Sequence, residues 1–537
     1  MKLTFIGADH EVTGSCHCLE ICGKHILIDY GMQQGKDIYV NQGIPWPESD
    51  IDYVLLTHAH IDHAGLLPLL YARGFRGTVF CTTATADLCD IMLRDSAHIQ
   101  EFEADWRNRK GRRAGAEDVP PLYSMEDAIG LIKHIEGVPY DVQIDLCEGV
   151  QIRFRDEGHL LGSSSIEVWL TENNQQEKIV FSGDIGNIDQ PLIRNPFYIE
   201  DADYVVMEST YGDRTHDKPV DYVTALAEIL QTTFDRGGNV VVPSFAVGRT
   251  QEMLYYIREI KKRGLIQRHG NFDVYVDSPL AVEATNIFQE NMQDCYDEET
   301  LNLVRSGINP LNFPGLHLSI TSDESRAINF DLKPKVILSA SGMCEAGRIR
   351  HHLKHNLWRP ESTILFVGYQ AFGTLGRILL DGVTEVKLFG ETIDVRASIL
   401  RLPGMSGHAD QNGLIEWINH FTVKPKKVFI VHGEDQVCDS FAQLLTTQYG
   451  YDTGVPFSGA EFDLATDSWI SQPIGIPVPD KSPVSKRSTD AFARLLAAGQ
   501  RLLAVINRNK AYTNKDLARF TDQVNNLSDR WDHPLGK

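Results

Sequence analysis

The residues best suited to metal binding or catalysis lie within one hexapeptide, His58–His63. It follows the apolar run Tyr53–Leu56. A strand that ends in a tight loop can hold imidazoles and a carboxylate at fixed positions around two cations. Histidine nitrogen and aspartate oxygen together suit zinc or a similar divalent ion. A polar loop whose histidines merely end a strand is the alternative, but so many ligand-type side chains in one hexapeptide favour a metal site. These side chains are His58, His60, Asp62 and His63.

Four further segments each place one residue of ligand type at a strand end with glycine nearby, which lets the backbone come close. Any one of them alone is explained as a lone polar residue, but together with the hexapeptide they supply five histidines and three aspartates. Two divalent ions need about six or seven protein donors. The inventory therefore matches two ions and leaves one aspartate to orient the others through hydrogen bonds. The four residues are Asp29, His159, Asp184 and His432.

The composition is that of a soluble globular protein. The 537 residues are enough for about three or four domains, and no apolar run is long enough to cross a bilayer. The N-terminus has no signal-peptide pattern, and nine dispersed cysteines fit a reduced, cytoplasmic setting. Strand alternation places Cys16, Cys18 and Cys22 on one face and His17 on the other. We expect half-buried small side chains there, with a separate metal site as the alternative.

The formal net charge of −22 is the strongest objection to a nucleic-acid substrate, because it repels polyanions at long range. Bound cations reverse the local field, and basic residues can be concentrated near one cleft. Two basic clusters occur, although either can also be a solvated face. The first contains Arg107, Arg109, Lys110, Arg112 and Arg113, and the second contains Arg348, Arg350, His351, His352 and Lys354.

The pattern of elements changes twice along the chain. Up to residue 208, short β-type runs with glycine turns surround one helical stretch at 85–106, which indicates a layered α/β unit with mixed sheets. From 220 onward strands and helices alternate, which predicts an open, largely parallel sheet in a second domain inserted into the first. The expected strands there are 239–242, 273–276, 317–320, 335–339 and 363–367, and the expected helices are 220–235, 249–263, 280–290 and 345–355. Strand patterns resume at 394–400 and 427–431.

The last part of the chain has a different composition. From Ser471 to Ser488 the sequence is rich in Pro, Ser and Lys and is typical of a linker. Residues 489–537 predict two short amphipathic helices, with Phe492, Leu495, Leu496 and Leu502–Ile506 on the first. That tail is too small to carry chemistry, so we expect a packing or association role. The sequence contains no internal repeat, Walker loop or dinucleotide fingerprint.

The ordered set resembles the metallo-β-lactamase superfamily, and specifically its β-CASP branch of nucleic-acid hydrolases. The hexapeptide read with Asp29, His159 and Asp184 carries the first signature, and the branch markers are Glu208 in Met207–Gly212, His408 in Met405–Asp410, and His432. The resemblance covers residues 1–465. It implies an α/β protein with an αββα sandwich and an inserted β-CASP domain of largely parallel sheet. The implied parts are a sandwich of 1–208 and 391–466, an inserted domain of 209–390, a linker of 467–488 and a helical tail of 489–537.

The resemblance also implies roles for the site residues. His58, His60 and His159 would hold one divalent ion, most often zinc in this family, although manganese and iron stay open. Asp62, His63 and His432 would hold a second ion, with Asp184 as the bridge. Asp29 would orient the ligands from behind, and Glu208 would hydrogen-bond His408 and set its tautomer and charge.

The substrate implied by the resemblance is single-stranded RNA. A histidine at the position of His432 goes with RNA-processing members of the branch, whereas DNA-processing relatives share an aliphatic residue there. The organisation resembles bacterial and archaeal single-chain relatives of the cleavage subunit of mRNA 3′-end processing. A bridging hydroxide would attack phosphorus and His408 would protonate the departing oxygen, which gives 5′-phosphate and 3′-hydroxyl ends.

Two loops of small residues are further candidates for contact with the RNA backbone, because amides in such loops can meet phosphate oxygens. They are Ser339–Met343 and Gly373–Arg377, and ordinary turns are the alternative. The expected contact residues are Ser341, Gly342, Gly373, Thr374, Arg348 and Arg377. Three rival functions stay open: hydrolysis of a small ester or thioester, cleavage of single-stranded DNA, and a non-catalytic RNA-binding scaffold. Homo-oligomerisation and the choice between endonuclease and exonuclease action are not determined by the sequence.

Overall fold

The computed structural model describes residues 1–35, 38–112, 117–217, 221–371, 373–478, 502, 505–506 and 514–531. The strands before the insertion are β1 Lys2–Gly7, β2 Cys16–Ile21, β3 Lys24–Ile28, β4 Tyr53–Leu55, β5 Thr78–Thr82, β6 Ile135–Val138, β7 Ile144–Cys147, β8 Val150–Asp156, β9 Ser164–Glu172, β10 Gln175–Phe181 and β11 Tyr204–Glu208. The helices among them are α1 Ile61–Ala64, α2 Leu67–Ala72, α3 Thr83–Arg112 and α4 Met125–Ile132.

The elements from residue 222 to residue 401 make up a region that we call the inserted domain. Its helices are α5 Tyr222–Asp235, α6 Arg249–Arg263, α7 Pro279–Glu290, α8 Met292–Cys295, α9 Glu298–Arg305, α10 Ser322–Phe330, α11 Ile349–Asn356 and α12 Leu375–Leu380. Its strands are β12 Val240–Pro243, β13 Asp273–Val276, β14 Leu316–Leu318, β15 Lys335–Ser339, β16 Thr363–Phe366, β17 Glu385–Leu388, β18 Glu391–Asp394 and β19 Ser398–Arg401.

The chain then returns to the first region. The returning elements are α13 Gln411–Asn419, β20 Lys427–Val431, α14 Asp435–Leu444, β21 Thr453–Gly454, β22 Glu461–Asp463 and β23 Ser468–Ser471. All of these belong to one compact unit, Met1–Gly475, and a second unit begins at Ile476. The second unit contains the helix α15 Asn514–Trp531. Among the described residues, we find no helix with the length and apolarity needed to cross a membrane.

Two β-sheets pack face to face in the first region. Within the described chain, one sheet has the order β23-β22-β1-β2-β3-β4-β5-β6 and the other the order β21-β20-β11-β10-β9-β8-β7. Strand alternation builds both faces of the second sheet: Ile179 and Phe181 of β10 face the core between the sheets, whereas Val180 faces α13 and α14. Helices also cover the outer face of the first sheet. This arrangement is an αββα sandwich, which confirms the predicted fold class.

The inserted domain contains a third sheet of order β14-β13-β15-β12-β16-β19, in which all neighbouring strands are parallel. The sheet is buried on both faces, with Val241 and Ile337 on one side and Val240 and Leu338 on the other. The chain enters this domain after β11 and returns to β20, and these two strands are parallel neighbours in the second sheet. The predicted parallel α/β insertion is therefore present.

Several bounds differ from those that the sequence predicts. The helix predicted at 85–106 extends over Thr83–Arg112, and an ion pair of Arg107 with Glu103 (2.8 Å) lies on its added turns. The strand predicted at 394–400 is two strands, β18 and β19, and β19 pairs with β16. The third sheet thus takes a strand from beyond residue 390, because hydrogen-bond partners rather than local pattern determine sheet membership.

Two other predictions change for local reasons. Residues Ser468–Ser471 form β23 where a linker is predicted from 467, because Trp469 packs against Phe429 and Phe462 with ring centroids 5.6 and 5.1 Å away. The cysteine prediction is wrong for Cys22: β2 ends at Ile21, and Cys22 is exposed with a φ of 49°. Cys16, Cys18 and His17 are fully buried rather than half-buried. Positions Phe492, Leu495, Leu496 and Arg113 lie outside the described residues.

Candidate metal centre

All the predicted ligands come together at one edge of the sandwich. Strands β3 and β4 are parallel neighbours, as are β10, β11 and β20, so their carboxyl ends meet at the same edge. Asp29 follows β3, the His58–His63 loop follows β4, Asp184 follows β10, and His432 follows β20. His159 lies in the turn between β8 and β9, and β8 runs in the same direction as β10. The topology therefore gathers residues that are up to 403 positions apart, from Asp29 to His432.

One donor set is formed by three imidazole nitrogens and one carboxylate oxygen. Nδ1 of His60 lies 3.0 Å from Nε2 of His58 and 3.2 Å from Nε2 of His159. Oδ2 of Asp184 lies 3.4 Å from both of these Nε2 atoms. Four donor atoms thus surround one point, which is the arrangement of a tetrahedral or five-coordinate site.

A second donor set lies on the other side of the same aspartate. Nε2 of His63 and Nε2 of His432 are 3.2 Å apart, and Oδ1 of Asp184 lies 3.2 Å from the first and 3.5 Å from the second. Oδ2 of Asp62 completes the set at 3.8 Å from His432. Asp184 therefore presents one oxygen to each set, as the bridging role requires.

The chemistry of these donors fits divalent cations. Burial lowers the pKa of His58 and His159 and lowers that of His60 to about 3, so these imidazoles are neutral and offer lone pairs. Oδ1 of Asp184 is buried without a hydrogen-bond partner within the described chain, so a cation would satisfy it. The described residues thus form a centre for divalent metal ions.

The second set favours positive charge. Burial disfavours the imidazolium of His63, but the carboxylates of Asp184 and Asp29 outweigh it and raise the pKa of His63 well above its usual value. The pKa of Asp184 is held well below its usual range by the surrounding histidines, in spite of its burial. A position where a proton is held so firmly is one where a metal ion is also stabilised.

Two side chains behind the second set fix the histidine tautomers. Oδ2 of Asp29 lies 2.7 Å from Nδ1 of His63, and the hydroxyl of Thr210 lies 3.0 Å from Nδ1 of His432. Asp29 in turn accepts a hydrogen bond from the backbone N–H of Thr57 at 2.8 Å. Both histidines therefore direct Nε2 toward the shared carboxylate. The sequence predicts the position of Asp29 but gives no signal for Thr210, although it lies inside the quoted motif.

Glu208 and His408 form a pair beside the centre. Nδ1 of His408 lies 3.2 Å from Oε2 of Glu208 and 3.9 Å from Oδ2 of Asp184. Glu208 is buried and also accepts a hydrogen bond from the backbone N–H of Ile185 at 2.5 Å. Burial disfavours the imidazolium, but Glu208 and Asp184 outweigh that effect and raise the pKa of His408 to about 9. Glu208 and Asp184 thus favour the imidazolium form of His408 next to the donor sets.

The segment that carries His408 is fixed by hydrogen bonds to the strand end that carries Asp184. The N–H of Ala409 donates to the carbonyl of Ile185 (2.8 Å), and the N–H of Asn187 donates to the carbonyl of Gly407 (3.0 Å). The buried amide of Gln190 donates to the carbonyls of Gly158 (2.9 Å) and Gly407 (3.3 Å), which joins the loop of His159 to that of His408. The sequence gives no signal for Gln190, because its role depends on contacts between distant segments.

A cavity of about 720 Å³ opens beside Ser406 and Glu434, which neighbour His408 and His432. Three guanidinium groups line it, and each forms an ion pair with a carboxylate at its edge: Arg214 with Asp213 at 3.0 Å, Arg377 with Asp381 at 2.8 Å and Arg401 with Asp217 at 3.0 Å. The rings of Tyr211 and Tyr369 also line the cavity, and Tyr369 is exposed. Arg377 is the member of the predicted contact set that lines this cavity.

Arg348, one of the predicted RNA contacts, makes several hydrogen bonds within the inserted domain. Its Nη1 donates to buried Asp277 at 2.7 Å, and its guanidinium also reaches the carbonyls of Ser319 (3.2 Å) and Ile320 (2.5 Å). Nη1 and Nη2 of Arg348 therefore have partners inside the inserted domain, and its contact with RNA stays a prediction.

The predicted small-residue loops act as turns. Thr374 caps α12 by accepting from the N–H of Arg377 (3.3 Å), Gly373 has a φ of 86°, and the carbonyl of Gly342 accepts from Gln370 (3.0 Å). Ser341 lies in the same turn, and its carbonyl accepts from the N–H of Cys344 (3.1 Å). These hydrogen bonds are those of ordinary turns, and contact of the two loops with RNA stays a prediction.

The first basic cluster lies on the exposed end of α3, where its charges are used locally. Arg107 pairs with Glu103, Arg112 pairs with Asp118, and Lys110 lies over the ring of Trp106. Two of the arginines that line the cavity, Arg214 and Arg401, lie outside both predicted basic clusters.

Comparison with known protein families agrees with this architecture. Residues 11–203 match the metallo-beta-lactamase superfamily, residues 250–379 match the Beta-Casp domain, and residues 392–456 match the Zn-dependent metallo-hydrolase RNA specificity domain. The matched segments follow one another along the chain in the order sandwich, insertion and returning strands.

Individual relatives span most of the chain. A ribonuclease from Thermus thermophilus is 34% identical over 450 residues, which is 83% of this chain and 96% of the relative. An RNase J-like protein from Methanocaldococcus jannaschii is 30% identical over 85% of this chain and 98% of its own length. The transcription termination factor FttA of the same organism is 30% identical over 85% of this chain and 71% of its own length. The chain therefore belongs to the β-CASP family of RNA nucleases within the metallo-β-lactamase superfamily.

Proposed function

We propose that this protein hydrolyses phosphodiester bonds of single-stranded RNA with two zinc ions, leaving 5′-phosphate and 3′-hydroxyl ends. The position of Asp184 gives the most direct support, because its two oxygens each face a separate set of imidazole nitrogens at 3.2–3.5 Å. The first set would hold one ion and the second set the other. The proposed ligands are His58, His60, His159, Asp62, His63, His432 and the shared Asp184.

Ions at these positions supply Lewis acidity toward phosphate oxygens and lower the pKa of water toward neutrality. The protein's own part is to orient the donor atoms toward these positions. Asp29 and Thr210 do this for the second set by holding Nδ1 of His63 and His432, which leaves both Nε2 atoms free to bind.

His408 is the proposed proton donor. Glu208 accepts at Nδ1 of His408, so the Nε2–H of the imidazolium is left to donate to the departing 3′-oxygen. Glu208 is itself held by the N–H of Ile185, which follows Asp184, so the pair is fixed relative to the donor sets. This geometry supports general acid catalysis, which typically contributes about 10²- to 10⁴-fold.

The RNA strand is proposed to occupy the cavity lined by Arg214, Arg377 and Arg401. Each of these guanidinium groups pairs with one carboxylate, and in the proposed complex an RNA phosphate takes that partner's place. The exposed ring of Tyr369 offers a stacking surface for an unpaired base. The names of the ribonuclease and RNase J-like relatives support RNA as the substrate.

One experiment tests this function against its rivals. Metal-replete protein is incubated with matched RNA, single-stranded DNA and a simple ester, each with and without chelator. We expect cleavage of RNA that stops on chelation and 5′-phosphate ends on the products. Equal cleavage of DNA, preference for the ester, or binding of RNA without cleavage would each favour one of the other functions. Oligonucleotides labelled at the 5′ or the 3′ end show in the same assay whether cleavage is internal or terminal.

A further inference from the structure

The loop before His408 is contacted by a residue of the inserted domain. Arg249 is the first residue of α6, and its Nη2 donates to the carbonyl of Met405 at 3.2 Å. Its Nη1 forms an ion pair with Glu252, one turn later on the same helix, at 2.6 Å. The side chains of Arg249 and Glu252 are only 10% and 12% exposed, so the guanidinium is held in one orientation.

The start of this loop also packs closely against the inserted domain. Gly404 has a φ of 77°, and a Cβ at this position would lie 2.9 Å from the hydroxyl of Tyr222 on α5. Met405 is buried in the same apolar cluster as Leu226 and Leu230 of α5. The segment that ends in His408 is therefore held from one side by the sandwich, through Ile185 and Asn187, and from the other side by the inserted domain.

We infer that Arg249 is a positioning residue for proton delivery, which fixes the His408 loop through the carbonyl of Met405. The inserted domain then determines where the imidazole lies, in addition to any contact that it makes with the substrate. This inference rests on the proposed function, in which His408 protonates the departing oxygen. Its consequence is a dependence on the leaving group: an alkoxide needs the proton, whereas a nitrophenolate leaves without one.

The test uses the double variant Arg249→Met/Glu252→Gln, which removes the hydrogen bond without leaving an unpaired buried carboxylate. Two substrates are compared, a short single-stranded RNA and the 4-nitrophenyl ester of uridine 5′-phosphate. Misplacement of a catalytic group by about 1 Å can cost about 10²-fold, so we expect kcat on RNA to fall about 10- to 100-fold. KM for RNA, turnover of the nitrophenyl ester and zinc content should each stay within about 2-fold of wild type, since the metal sites are untouched.

The matched control is Arg258→Met/Glu259→Gln on the same helix. Arg258 and Glu259 form a buried ion pair like that of Arg249 and Glu252, and Arg258 also lies over the ring of Tyr255 on α6. We expect this control to turn over both substrates as the wild type does. An equal loss of RNA and ester turnover in the Arg249→Met/Glu252→Gln variant would overturn the inference, because a general structural defect affects both.

His408→Ala, run alongside, separates failure of the inference from failure of the proposed function. If His408→Ala slows RNA cleavage selectively but the Arg249→Met/Glu252→Gln variant does not, the positioning role is wrong and the general acid stands. If His408→Ala slows both substrates equally, His408 does not deliver the proton and both proposals fall.

Discussion

Oδ2 of Asp29 and Nδ1 of His63 are 2.7 Å apart, in a position where both side chains are almost completely buried. The contact assigns the ring proton of His63 to the Asp29 side and turns Nε2 toward Asp184 and His432. A residue that contacts no metal in the proposed site thus decides the direction of a ligand lone pair.

We expect Asp29→Asn to weaken zinc binding at one of the two sites, because the amide lacks the charge that stabilises the His63 tautomer. Loss of such a partner typically costs about 10- to 100-fold in metal affinity. Competition with a chromophoric chelator measures both affinities. Asp145→Asn, at an exposed carboxylate on β7, is the control. Unchanged zinc affinity at both sites would show that Asp29 does not support metal binding.

His408→Ala should lower kcat on RNA by about 10²- to 10⁴-fold while the protein keeps both zinc ions. Glu208→Gln should change activity in the same direction, because the amide no longer stabilises the imidazolium. Metal content by atomic emission, measured on the same preparations, distinguishes the roles. One zinc per chain in the His408→Ala protein would identify His408 as a ligand instead. His420→Ala, at an exposed histidine that stacks on Tyr198, should match wild type.

Arg401→Glu should weaken RNA binding and reduce its salt dependence, because one contact to phosphate is lost. For a single strand, each such contact contributes about 0.7 to the slope of log affinity against log salt. Fluorescence anisotropy at several salt concentrations gives the slope.

Arg305→Glu is the matched control for Arg401→Glu. Arg305 is also 55% exposed and also pairs with a carboxylate, Glu298, but it does not line the cavity. We expect Arg305→Glu to leave the slope unchanged. An identical slope of log affinity against log salt for both variants would indicate that the RNA does not bind in this cavity.

Removal of the metals should lower the free energy of unfolding, because the ions bind the folded donor sets and not the unfolded chain. At a free zinc concentration 100 times the dissociation constant, each site adds about 2.7 kcal/mol. Thermal melts with zinc or with chelator measure the difference. Asp184→Ala should show nearly the same melting temperature in both conditions, since both sets lose a shared donor. A full zinc-induced shift in that variant would contradict the bridging role.

His17 makes folding stability depend on pH. Burial lowers its pKa to about 4, so the folded state favours the neutral ring. Since the folded pKa lies below the unfolded value of 6.5, this stability is present above pH 6.5 and is lost as the pH falls toward 4. In His17→Phe, the loss of stability between pH 7.5 and 5.5 should be smaller by about 1 kcal/mol. Urea unfolding of the wild type and the variant, both treated with chelator, at the two pH values provides the measurement. Equal losses of stability in the two proteins would exclude His17 as a source of the pH dependence.

Much of the centre was predictable from the sequence because metal chemistry restricts the residue types. His58, Asp184 and His432 stand out as ligand-type side chains at the ends of apolar runs, and parallel strands bring such ends together. The α/β class and the parallel insertion were predictable for a similar reason, since strand and helix patterns are local.

The contacts that depend on tertiary pairing were not predictable. Arg348 lies in a conspicuous basic cluster in the sequence, yet its guanidinium donates a hydrogen bond to Asp277, which is 71 residues away. Arg401 stands alone in the sequence and lines the cavity beside the centre. The membership of β19 in the third sheet and the contact of Arg249 with Met405 likewise depend on partners that no local pattern reveals.

The order of the ligands along the chain has a consequence for biosynthesis. The proposed ligands include a loop that begins at residue 58 and a histidine at residue 432, which follows β20. A nascent polypeptide therefore lacks a complete centre until most of its length has left the ribosome. Truncated or stalled products of translation would then be unable to degrade the very message from which they are made.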